Sequence, residues 1–248
     1  MEWKEGKEGD FFGGNIRVRV QTSYGKLKPF GFAIHGAVDG FSRKILWLEV
    51  ATSKNDPHVI AKYFLETITS LGGIVPTIIR SDHGTENVSV RLLQIFFRLG
   101  HGYGHAAEKS FVVGKSTSNQ RIESLWSMLR RQCVDFWINF FKDKRATGLY
   151  IDGNIFHRQC LLYCFMPVIV CELRKFALKW NLHDISNGNP NGKPEVMFSM
   201  PELYNSVSQH HNVNLDDVRI CTELYLRPLN ERGCFPEFLD LFDLIGRN

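Results

Sequence analysis

The chain has 248 residues, 44% of them hydrophobic, and a formal net charge of +4. That supplies one substantial core and a small appendage, and no apolar run reaches the roughly eighteen residues of a membrane span. Met1-Glu2-Trp3-Lys4-Glu5 lacks an apolar signal core, so a soluble protein, nuclear or cytoplasmic and not secreted, is expected.

Residues 1–15 are charged and aperiodic and are expected to be disordered or poorly packed. Ile16, Val18 and Val20 alternate with Arg17 and Arg19, the pattern of a half-exposed strand. Residues 32–38 and 45–50 read as two further strands, joined as a hairpin by the Asp39-Gly40 turn. A helix starts at Asp56-Pro57, with Asn55 or Asp56 as cap, and carries Val59, Ile60, Tyr63, Phe64, Ile68 and Leu71 at helical spacing up to Gly72-Gly73. An apolar strand (Ile74, Val75, Ile78, Ile79) then runs into Asp82 and stops at Gly84. A helix over 88–99, a short strand at 111–113 and a polar loop at 115–119 follow.

The helix from Gln120 is predicted to bury Ile122, Leu125, Trp126, Leu129, Cys133, Phe136, Trp137 and Phe140 on one face, with Glu123 at the border of that face near its start. A helical hairpin is expected next, over 155–165 and 167–180, with Pro167 opening the second helix. Residues 187–194 read as a loop, and 201–248 show no clear motif. Three strands, helix, strand, helix, strand, helix is an RNase H-like order, with domains expected as 1–15, a core over 16–186 and a C-terminal extension over 187–248. The six cysteines lie mostly in apolar helical pattern without Cys-x-x-Cys spacing, so buried reduced thiols are expected.

The phrases His35-Gly36-Ala37-Val38-Asp39-Gly40-Phe41-Ser42-Arg43, Ser81-Asp82-His83-Gly84 and Asn119-Gln120-Arg121-Ile122-Glu123 resemble the retroviral-integrase superfamily of DDE strand-transfer enzymes. The likeness is greatest to integrase-core proteins of eukaryotic mobile elements and covers residues 20–204. It implies an α/β RNase H-like fold, a mixed five-stranded sheet flanked by helices with a helical extension. It also implies DNA as partner, with homo-oligomerisation open, no membrane, and Mg2+ or Mn2+ as cofactor. Asp82 and Glu123 are the catalytic and metal-binding carboxylates in that resemblance, since hard divalent cations take oxygen ligands and clamp the reacting oxygens of a phosphodiester.

The resemblance fails at one position. The family takes its first aspartate from a Trp-x-x-Asp phrase on the first strand, where this chain reads Arg19-Val20-Gln21-Thr22. Threonine supplies no anionic ligand. Either the site is degenerate or Asp39, whose usual place in the family is the hairpin turn, compensates as a catalytic residue. Between 115 and 145 seven basic residues face three acidic ones, and Lys115, Arg121, Arg130 and Arg131 are the candidates for DNA phosphate contact. A solvated helix face is the competing explanation of that stripe, and a non-catalytic DNA-binding or protein-interaction module the competing function. His101 and His105 among glycines read as a connector, Asn119 or Gln120 as strand-positioning residues, and His83 as an accessory polar group.

Overall fold

A computed structural model describes residues 17–53, 55–100, 105–114, 120–186, 190–206, 211–225 and 230–246, with the backbone alone at 17, 19–24, 120 and 121. The expectations for residues 1–15, 101–104, Lys115 and Asn119 lie outside the described residues. β1 (Arg17–Tyr24), β2 (Ala33–Asp39) and β3 (Ile45–Ala51) form an antiparallel meander. After β3, Asp56 accepts a hydrogen bond from the His58 N–H at 2.9 Å and Pro57 opens α1 (Pro57–Ser70), the expected cap.

The apolar run after α1 is not one strand. Pro76 divides it into β4 (Ile74–Val75) and β5 (Ile78–Ser81), which join different sheets. Proline has no N–H for a ladder, and its carbonyl is taken by the Gln94 amide at 2.8 Å. α2 (Val88–Phe97) and β6 (Phe111–Val113) follow. The larger sheet has the order β3-β2-β1-β5-β6, with β5 parallel to β1 and β6 parallel to β5. β4 instead pairs with β7 (His211–Asn212).

Alternation along the strands gives the sheet two apolar faces. Val18, Ala37, Trp47 and Ile79 pack with α1, α2 and α7 (Leu215–Tyr225), while Ile34, Val38, Leu48 and Val50 pack with the helices that follow β6. The first of these is α3 (Gln120–Leu129). A Cβ on Gly36 would come within 3.2 Å of both Trp126 and Leu48, so the glycine lets the Trp126 ring lie on the strand.

α3 runs through one π turn (Arg130–Val134) into α4 (Asp135–Ala146). A π turn inserts one residue and moves every later side chain round the helix. Ile122, Leu125, Trp126, Leu129 and Cys133 are buried as expected, but beyond the turn the buried set becomes Val134, Trp137, Ile138 and Phe141. Phe136 is left 61% exposed and Phe140 half-buried.

The expected hairpin is a single helix, α5 (Ile155–Leu182), with Pro167 inside it. Proline deprives the carbonyl four residues earlier of its donor, at a cost of about 3 kcal/mol. Here that carbonyl, on Tyr163, accepts from Arg232 Nη1 at 2.9 Å, and the guanidinium stacks 4.3 Å from the Tyr163 ring. Buried Leu162, Met166, Ile169, Leu173, Phe176 and Trp180 keep one side of the helix on the core across the proline.

The C-terminal residues pack back on both faces. α6 (Pro194–Ser199) lies against α5, Val218 and Cys221 of α7 join the α1 face, and Cys234, ahead of α8 (Pro236–Ile245), joins the other. Cys133, Cys221 and Cys234 are buried and free as expected, whereas Cys164 and Cys171 are exposed on the outer side of α5. No helix among the described residues is long and apolar enough to cross a membrane.

Candidate active site

The parallel strands β1, β5 and β6 run to one edge of the sheet, and the Asp82 motif begins there. β5 ends at Ser81, and the Gly114 N–H, just past β6, donates to the Ser81 carbonyl at 3.0 Å. Asp82 follows directly and is half-buried. Its Oδ1 accepts from Asn87 Nδ2 at 3.1 Å, and the Ser81 hydroxyl donates to its main-chain carbonyl at 2.9 Å. Burial, and next the charge of Glu86, hold the Asp82 carboxyl above its ordinary pKa, against the Gly84 N–H and the Asn87 amide.

Glu86 lies in the turn Thr85–Asn87 that leads into α2, as a helix-start acid should, but it is 7% exposed. Its carboxylate folds back over Gly84, where any Cβ would collide with it. Sequence reading missed this buried acid. The available signal was a glycine two positions before it.

Glu123 is exposed in the first turn of α3, held by the fully buried Ile122 and Leu125. α3 contacts β1, and residues 115–119, which join β6 to it, lie outside the described residues. Beneath the Asp82 edge His35 is fully buried, its Nε2 3.1 Å from the Ser53 carbonyl. Burial pushes the ring down to a pKa of about 4, opposed by the Ser53 hydrogen bond and Glu86. His83 is exposed.

Register places the remaining candidates. Arg19 pairs with Arg80, so Asp82 lies level with the Gln21–Thr22 end of β1, where Thr22 stands opposite His35. Asp39 stands opposite Val18, four residues back along β1, or roughly 13 Å at strand rise. Its Oδ2 accepts from the Phe41 N–H at 3.2 Å and from the Ser42 N–H and hydroxyl at 2.7 Å each. The structure therefore does not bring Asp39 together with Asp82.

Of the DNA-contact candidates, Arg131 is exposed, Arg130 pairs with Asp135 at 3.0 Å, and the Arg121 side chain lies outside the described residues. Further along, Lys144 pairs with Asp143 at 3.3 Å and Arg145 with Asp152 at 2.7 Å, so much of the stripe's charge is met within its own helix and the loop that follows.

An α/β sheet in the order 3-2-1-5-6 with helices on both faces, and an acidic corner where its parallel strands end, fits an integrase core of RNase H-like fold. A family model described as an integrase core domain matches residues 20–212, and the chain belongs to that family, within the retroviral integrase superfamily. A comparison with curated proteins gives no match. Integrase core domains bind DNA and generally use divalent metals. Among the described residues no three His, Cys, Asp or Glu side chains come together, and Asp39 is held at the far end of β1 from Asp82.

Proposed function

We propose that the chain is an integrase/transposase-type polynucleotidyl transferase core, built for metal-dependent phosphodiester strand transfer in DNA integration, whose active site is degenerate. The observation that carries this is Thr22 at the end of β1 level with Asp82, where the family pattern has an aspartate. Asp82 and Glu123 are the retained catalytic carboxylates. The cation expected is Mg2+ or Mn2+, and two anionic ligands hold it more weakly than three. Lys115, Arg121, Arg130 and Arg131 contact DNA phosphate, and a nuclear location suits that partner.

Plasmid nicking and strand transfer with Mg2+ or Mn2+ test the reading. The natural chain is expected to show little or no activity, Thr22→Asp to gain some, and Glu123→Gln in that background to lose it. Robust cleavage by the natural chain, abolished by Asp39→Asn and by Glu123→Gln, would overturn the degenerate reading and make Asp39 a ligand.

A second reading, a domesticated non-catalytic module that binds DNA or protein, draws support from a further feature. Val88, Leu92, Phe96 and Leu99 are all exposed along one stripe of α2 and the turn after it, more apolar surface in one place than a solitary chain needs. Inactivity of Thr22→Asp together with tight association with a protein partner would favour it.

A further inference from the structure

Arg80 stands on β5 two residues before Asp82, within a motif whose other members have roles. Ile79 and Ser81 on either side of it are buried, and Ile79 belongs to the α1 face, so alternation turns Arg80 to the face that carries α3. Its guanidinium lies against Gly114, where a Cβ would come within 2.8 Å of Nη2 and 3.2 Å of Nε. The glycine that ties the end of β6 to Ser81 thus also gives the guanidinium its seat.

Arg80 is half-buried, and among the described residues no carboxylate or carbonyl engages it. Arginine cannot shed its proton, and a partly desolvated cation without a counter-charge is the condition that an anionic ligand relieves. The planar fork of N–H donors matches the two non-bridging oxygens of a phosphodiester better than it matches water.

We propose that Arg80 is a phosphate-binding residue of this corner, taking the non-bridging oxygens of a DNA phosphodiester laid across the ends of β5 and β6 beside Asp82. This rests on the DNA reading above and adds a contact outside the α3–α4 stripe. The strand fixes the position of the fork, and Gly114 keeps the backbone low enough for the phosphate to approach it.

Fluorescence anisotropy of a labelled duplex oligonucleotide, titrated over a series of salt concentrations, tests the assignment. Arg80→Gln is expected to weaken binding by roughly tenfold at low salt and to flatten the dependence of log K on log salt by about 0.9, the signature of one lost phosphate contact. Arg80→Lys should restore the slope, because it restores the charge, while leaving affinity about threefold or more below the natural chain, because it lacks the fork. Arg219→Gln, on α7 and paired with Asp216 at 3.3 Å, removes a charge already met by a carboxylate and should alter neither quantity. If Arg80→Gln does not fold, Arg80→Lys decides alone: reduced affinity at unchanged slope supports the contact, and unaltered affinity overturns it. Failure of the natural chain to bind duplex at low salt would remove the DNA reading and this assignment with it. Duplex binding with the same slope in folded Arg80→Gln would remove the assignment alone.

Discussion

Asp39 and Asp82 flank opposite ends of β1 and meet different surroundings. Asp39 is 1% exposed and its Oδ2 takes three donors from its own turn, so its charge is spent on closing the β2–β3 hairpin. Asp82 stays half-exposed, is met by the Asn87 amide and the Gly84 N–H, and has the buried Glu86 beside it, which works with burial to disfavour its ionised form. A carboxylate matched by local donors belongs to the fold. One left beside a like charge in reach of solvent is poised for a cation or proton from outside. The site proposed above lies at the second end, where β1 carries Gln21 and Thr22 level with Asp82.

The sharpest test of this contrast is stability. Asp39→Ala strips the acceptor from two backbone N–H groups and a buried hydroxyl, and is expected to cost about 3 kcal/mol or more in urea unfolding. Asp82→Asn should change stability by no more than about 1 kcal/mol. Equal losses at the two positions would break the distinction.

His35 carries the next largest effect, because it lies beneath the Asp82 end and is buried as the neutral ring. Its folded pKa of about 4 lies below the ordinary 6.5, so between those values the unfolded chain binds a proton that the folded chain refuses. Stability is therefore full above pH 6.5 and falls as pH drops toward 4, by up to about 3 kcal/mol. Unfolding free energies measured across that window should show the slope in the natural chain and lose most of it in His35→Gln. An unchanged slope in the variant would place the acid sensitivity elsewhere.

What the sequence made legible follows from the range of the forces involved. Alternation, the Asp39-Gly40 turn and the Asp56-Pro57 cap are local, and β1 to β3 and α1 stand as those signals indicate. The errors arise where a distant partner decides. Pro167 reads as a break until Arg232, 69 positions from Tyr163, supplies the missing donor. Ile74 and Val75 read as part of the strand before Asp82 until β7 pairs with them across the chain. The π turn at Arg130–Val134 left no local signal, and it sent Phe136 to the surface. At the candidate site, motif spacing singled out Asp82 and Glu123, whereas the burial of Glu86 depends on packing around the Gly84 loop, of which the glycine itself is the sole local trace.

That packing gives a smaller prediction. Gly84 has φ −73°, a conformation open to any residue, so alanine there brings no backbone strain. Its methyl group would nevertheless occupy the place of the Glu86 carboxylate, which is buried and has little room to move. Gly84→Ala is expected to destabilise by about 1–3 kcal/mol, and pairing it with Glu86→Ala should recover most of that loss in a double-mutant cycle. Additive losses would mean that the methyl group meets something other than Glu86.

The smallest effect is expected at Asn87, and its smallness is the informative part. Its amide donates to Asp82 Oδ1 at 3.1 Å, a contact to a charged group worth about 1.5–3 kcal/mol at full strength and less at a half-exposed partner. The other end of the same amide, Oδ1, is buried without a hydrogen-bond partner among the described residues, a desolvation cost of about 1–3 kcal/mol that alanine would remove. The two nearly cancel, so Asn87→Ala should leave unfolding free energy within about 1 kcal/mol of the natural chain. At the other end of β1, Asp39 Oδ2 serves three donors, the Phe41 and Ser42 N–H groups and the Ser42 hydroxyl, so the loss of Asp39 strands more than the loss of Asn87 does. A large loss in Asn87→Ala would show that the Asp82 corner, like the Asp39 turn, is held together for the sake of the fold.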